Sequence, residues 1–81
     1  MTSSISDPKY EKFQKLLVEY RSKQGITQTQ LAERLGRPQS FVSKYENGER
    51  RLDLIEFLEI TAALEVDPFN FIQELLGEKR A

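Results

Sequence analysis

The chain has 81 residues with no cysteine and no histidine, which excludes disulfides and the usual zinc ligand sets. That length holds one domain, with a core near the lower size limit for independent stability. The formal net charge of −1 argues against a nucleic-acid ligand only if it is taken whole, because charge is segregated along the chain. Residues 21–51 carry seven basic side chains against three acidic ones, net +4, whereas residues 52–81 carry two against seven, net −5. A binding face feels the field within a Debye length of about 8 Å, so the basic middle can meet a polyanion.

The opening stretch, Met1 to Ser6, is short and polar, so no signal peptide is expected there. No apolar run approaches the roughly 18–20 residues that a membrane helix needs, and a cytoplasmic protein is the default expectation. Residues 1–6 and 78–81 read as flexible tails around a single domain over 7–77.

Asp7-Pro8 predicts a helix start: a side chain that accepts from free N–H groups, then proline at the first helical position. Tyr10, Phe13, Leu16, Leu17 and Tyr20 follow at helical spacing, and Gly25 ends this first helix. Thr27 and Gln30 fit a capping box that opens a short second helix, with Leu31, Ala32 and Leu35 buried and Gly36 as the stop. Arg37-Pro38 breaks the chain and can open a third helix, from about Gln39 to Asn47, with Phe41, Val42 and Tyr45 as its apolar side. Asn47-Gly48 closes it. Asp53 to Glu56 is another box-like start, after which Ile55, Leu58, Ile60, Ala62 and Leu64 are expected to face inward. Asp67-Pro68 repeats the first start signal, and Phe69, Ile72, Leu75 and Leu76 make the last helix apolar up to Gly77. No segment alternates with period two, so the expected fold is all-α with five helices.

Two short helices separated by only Gly36, Arg37 and Pro38 must cross at a large angle, and Ala32 is the small residue such a crossing needs. The third helix would be anchored by Val42 and Tyr45, leaving Gln39, Ser40, Ser43, Lys44 and Asn47 polar. Such a face suits base edges in a major groove about 12 Å wide.

The stretch from Gln28 to Gly48 resembles the lambdoid phage repressor and Cro family of helix-turn-helix proteins (XRE-like), and the resemblance spans roughly residues 13–76. It rests on Gln28, Leu31, Ala32, Gly36, Val42, Tyr45, Glu46 and Gly48 at fixed spacing. It implies a five-helix repressor-like domain with its helix-turn-helix over 28–47. Carried over by position, Gln39, Ser40, Ser43 and Lys44 would face bases, and Gln28 would lie near a phosphate at a helix N-terminus. Asn47, Arg50 and Arg51 would clamp the DNA backbone. Arg37 stands where many relatives carry an apolar or small residue, and this departure suggests a further phosphate contact. For Arg21 and Glu46 the resemblance implies an ion pair joining the first and third helices rather than a DNA contact. Phe41 is left between two readings: stacking on a neighbouring loop, or touching a thymine methyl.

Phe69, Phe71 and Ile72 read mostly as core, but a domain this small can hardly bury every apolar residue of its last helix, so part of the surface of Phe69, Phe71, Ile72 and Leu75 is expected to form a dimer contact. The leading expectation is a homodimeric regulator, a repressor in the simplest mechanism, bound to double-stranded DNA at an inverted-repeat operator. The alternative is an antitoxin-like module that holds a partner protein through the acidic helices after Leu52 and binds its own promoter. An enzyme is the weakest reading, because neither a glycine-rich phosphate loop nor paired carboxylates stand in for the absent histidine and cysteine. No cofactor and no metal are expected.

Overall fold

The computed structural model describes residues 7–77, and the expected tails over 1–6 and 78–81 lie outside the described residues. The chain forms α1 (Pro8–Lys23), α2 (Gln28–Leu35), α3 (Gln39–Asn47), α4 (Leu54–Leu64) and α5 (Pro68–Leu76), with no strand among the described residues. The start signals act as their chemistry requires. Asp7 accepts from the N–H groups of Lys9 and Tyr10, while Thr27 with Gln30 and Asp53 with Glu56 form reciprocal capping boxes. Helix α3 has Pro38 at its cap and no side-chain hydrogen bond there.

Helix α2 packs on α3 and α4, and α1 packs on α3 and α5. Leu17, Leu31, Val42, Tyr45, Ile60, Leu64 and Phe71 are almost fully buried where these helices meet. An aromatic cluster closes the far side of the core. The Phe71 ring lies 5.1 Å from both Phe57 and Tyr20 and 5.8 Å from Phe13, at angles that favour ring edges meeting ring faces.

Two helices turn a different face inward than their composition suggests. In α4 the buried row is Glu56, Phe57, Ile60, Thr61 and Leu64, and Ile55, Leu58 and Ala62 are exposed. Both rows have helical spacing, so periodicity alone does not choose between them. The capping box fixes the choice: Glu56 folds back onto the Asp53 N–H at 3.0 Å, and Phe57 beside it enters the aromatic cluster. Helix α5 presents the same conflict. Phe71 is 1% exposed, whereas Phe69 and Ile72 are 73% and 38% exposed, and Leu75 is half-buried against the core. Phe71 is therefore a core residue and not part of a dimer contact, because its ring is already enclosed by Phe13, Tyr20 and Phe57.

Candidate nucleic-acid interface

The turn between α2 and α3 is built from its glycine. Gly36 takes φ +68, a left-handed conformation that carries no side-chain penalty there, and the Arg37 N–H reaches back to the Ala32 carbonyl at 3.0 Å. This closure satisfies the end of α2 and turns the chain sharply into α3. Phe41, Val42 and Tyr45 bury one side of α3, so Gln39, Ser40, Lys44 and Asn47 are left exposed on the other, with Ser43 half-buried among them. The five polar residues occupy consecutive turns of one helix face.

A charged relay holds this helix in place. Arg21 donates from Nε and Nη2 to both carboxylate oxygens of Glu46, at 2.7 and 3.0 Å, and from Nη1 to the Ile26 carbonyl at 2.8 Å. The carboxylate, 6% exposed, holds the Arg21 guanidinium more firmly protonated than usual. Glu46 also accepts from Gln28 Nε2 at 2.8 Å, and Gln28 Oε1 accepts from Gln39 Nε2 at 2.7 Å. An ionised carboxylate is only an acceptor, so Gln28 must turn its amide nitrogen towards Glu46 and its oxygen towards Gln39. Gln39 in turn keeps its own oxygen and one N–H free. Gln14 adds a bond from α1 to the Glu46 carbonyl at 3.2 Å.

A second cluster ties the turn and the α3–α4 loop to α4. Arg50 makes a two-pronged pair with Glu56, 2.9 Å on each arm, and Arg37 lies 3.7 Å from both Glu56 and Glu59. The guanidiniums of Arg37 and Arg50 stand 4.3 and 4.9 Å from the Phe41 ring. Phe41 is buried beneath them, which places it in the stack on the loop and takes it away from any thymine methyl. The paired Arg50 guanidinium, helped by the Asp53 N–H, lowers the Glu56 carboxyl to about 2. Arg37 and Arg50, expected as phosphate contacts, thus have carboxylate partners while both remain partly exposed. Arg51 differs. Among the described residues it makes no ion pair, and its guanidinium lies 4.1 Å above the Tyr10 ring.

Stacking of Phe41 on the neighbouring loop was among the expectations from sequence, but its two arginine partners and the Gln28–Gln39 link were not. The spacing of Asp53 and Glu56 marked the box, but nothing in it shows that one carboxylate also gathers two arginines. Tyr20, read only as an apolar position, donates its hydroxyl to Glu74 and so joins α1 to α5. Burial, with that carboxylate beside it, pushes Tyr20 up to about 12.

A sharp glycine turn between two short helices, with the second anchored on one side and polar on the other, defines a helix-turn-helix protein. The profile of the HTH_3 helix-turn-helix family matches residues 17–71. The chain is also similar to a solved structure described as an XRE-family like protein from Pseudomonas syringae pv. tomato str. DC3000. The two share 50% identity over 94% of this chain and 93% of that one, with a TM-score of 0.85. No curated protein matches. The chain belongs to the XRE family of helix-turn-helix proteins and is a DNA-binding regulator of that type. No helix among the described residues is long and apolar enough to cross a membrane.

Proposed function

We propose that this protein is a cytoplasmic, sequence-specific repressor that binds an inverted-repeat DNA operator as a homodimer, with α3 as its recognition helix. The observation that carries the reading is the relay from Arg21 through Glu46 and Gln28 to Gln39, which presents Gln39 with a fixed donor and a fixed acceptor. One N–H and one oxygen side by side are what an adenine edge takes in the major groove. Ser40 and Ser43 add adaptable hydroxyls, and Lys44 reaches guanine acceptors. Asn47, Arg51 and the N-terminal end of α2 at Gln28 contact phosphates, which supply affinity without choosing sequence.

The dimer contact draws on Phe69 and Ile72, together with Leu54, Ile55, Leu58 and Leu76, all exposed apolar residues on α4 and α5. Two-fold symmetry then spaces the recognition helices about 34 Å apart, in successive major grooves. The experiment is selection from a pool of random duplexes: the reading expects enrichment of a two-fold symmetric site.

A further inference from the structure

We infer that Tyr10, at the start of α1, is a positioning residue for DNA binding, holding Arg51 ready for a phosphate. This inference rests on the reading of Arg51 as a phosphate contact. Two neighbouring arginines have opposite surroundings. Arg50 is paired on both arms with Glu56, whereas Arg51 has no carboxylate partner among the described residues and is exposed at the surface. What Arg51 does have is a platform. Its guanidinium lies 4.1 Å from the centre of the Tyr10 ring, and the Tyr10 hydroxyl accepts from the N–H of Leu52, the next residue, at 3.3 Å. One side chain therefore fixes both the cation and the backbone that carries it. The ring is held in turn by Phe13, 5.3 Å away and part of the aromatic cluster.

A phosphate meets a guanidinium along its N–H edge, so an aromatic ring against its flat face leaves the binding edge open. Arginine has many rotamers, and immobilising such a side chain on binding costs about 0.5–1.5 kcal/mol, equivalent to roughly two- to tenfold in affinity. The ring removes part of that cost before DNA arrives. Tyr10 does this from α1, outside the helix-turn-helix and touching no nucleotide itself.

The test uses the full chain and a labelled duplex of mixed sequence at low salt, because a phosphate contact does not require the operator. Tyr10→Leu keeps apolar contact with Phe13 but has no aromatic face, and Tyr10→Phe keeps the face. The expected result is a loss of affinity of up to about tenfold for Tyr10→Leu, a smaller loss for Tyr10→Phe, which keeps the face and gives up the bond to Leu52, and no further loss when Tyr10→Leu is added to Arg51→Ala. An undiminished effect of Tyr10→Leu in the Arg51→Ala background would overturn the inference, since a purely structural role acts with or without the arginine. So would full affinity in Tyr10→Leu alone. Full affinity in Arg51→Ala would instead overturn the phosphate reading beneath it. An independent readout on the wild-type protein is the shielding of the Arg51 δ protons by the ring, expected to persist in Tyr10→Phe; its absence in the wild type contradicts the stack.

Discussion

Gln39 Nε2 donates to Gln28 Oε1 across 2.7 Å, joining the first residue of α3 to the first residue of α2. The direction of that bond is set two residues away, by a carboxylate that can only accept. The ion pair behind the relay therefore has two roles: it braces α1 against α3, and it decides which atoms of Gln39 are left without a partner in the relay.

The structural role is the easier one to measure. Arg21→Ala leaves Glu46 buried without its cation, and removal of one partner from a buried pair costs about 3–5 kcal/mol. Arg21 is 15% exposed, so the lower end of that range is expected in denaturant unfolding. A loss under about 0.5 kcal/mol, the size of a typical surface change, would mean that water screens the pair.

Glu56 predicts an acid response. Its carboxyl falls from 4.5 to about 2 in the folded state, so the ionised form favours folding. A lowered native value contributes stability that is present above the unfolded pKa and is lost as pH falls through the folded one. Melting temperature should accordingly decline between about pH 4.5 and pH 2, and Glu56→Gln should reduce that decline while lowering stability at neutral pH. A variant with the wild-type acid profile would show that other carboxylates control the response.

Helix α5 divides core from surface between Phe71 and Phe69. Phe71→Ala opens a cavity among three rings and should destabilise the fold by about 3–5 kcal/mol. Phe69→Ala should leave stability of the monomer nearly unchanged and instead shift a concentration-dependent sedimentation profile towards the smaller species. If Phe69→Ala leaves sedimentation untouched, the exposed apolar face of α5 is not the dimer contact.

Helix α5 also marks the limit of what was legible in the sequence. Helix starts at Asp7, Thr27, Asp53 and Asp67 could be read because capping is local: the acceptor and the N–H groups it satisfies lie within three residues. The turn at Gly36 was legible for the same reason. The inward face of α5 was not, because Phe69, Ile72 and Leu76 form as good a helical row as Pro68, Phe71 and Leu75. Only the rings contributed by α1 and α4 decide between them. The polar face of α3 followed from its spacing. Which arginines remain free did not, since Arg50 and Arg51 are equivalent until Glu56 and Tyr10 arrive from elsewhere in the chain.

That difference can be read in salt. Arg51→Ala should weaken binding to all duplexes alike and reduce the slope of log affinity against log salt by about 0.9, the share of one phosphate. Arg50→Ala should act chiefly on folding, by releasing Glu56 and uncovering Phe41. Equal reductions in slope for both variants would return Arg50 to the phosphate contacts.

If the exposed face of α3 reads base sequence, selection from random duplexes at low salt, followed by salt titration of the enriched sites, will reveal it. The expected result is a two-fold symmetric consensus, affinity that falls steeply as salt rises, and a relaxed consensus for Lys44→Ala. A pool that shows no enrichment, with weak binding indifferent to salt, would contradict it.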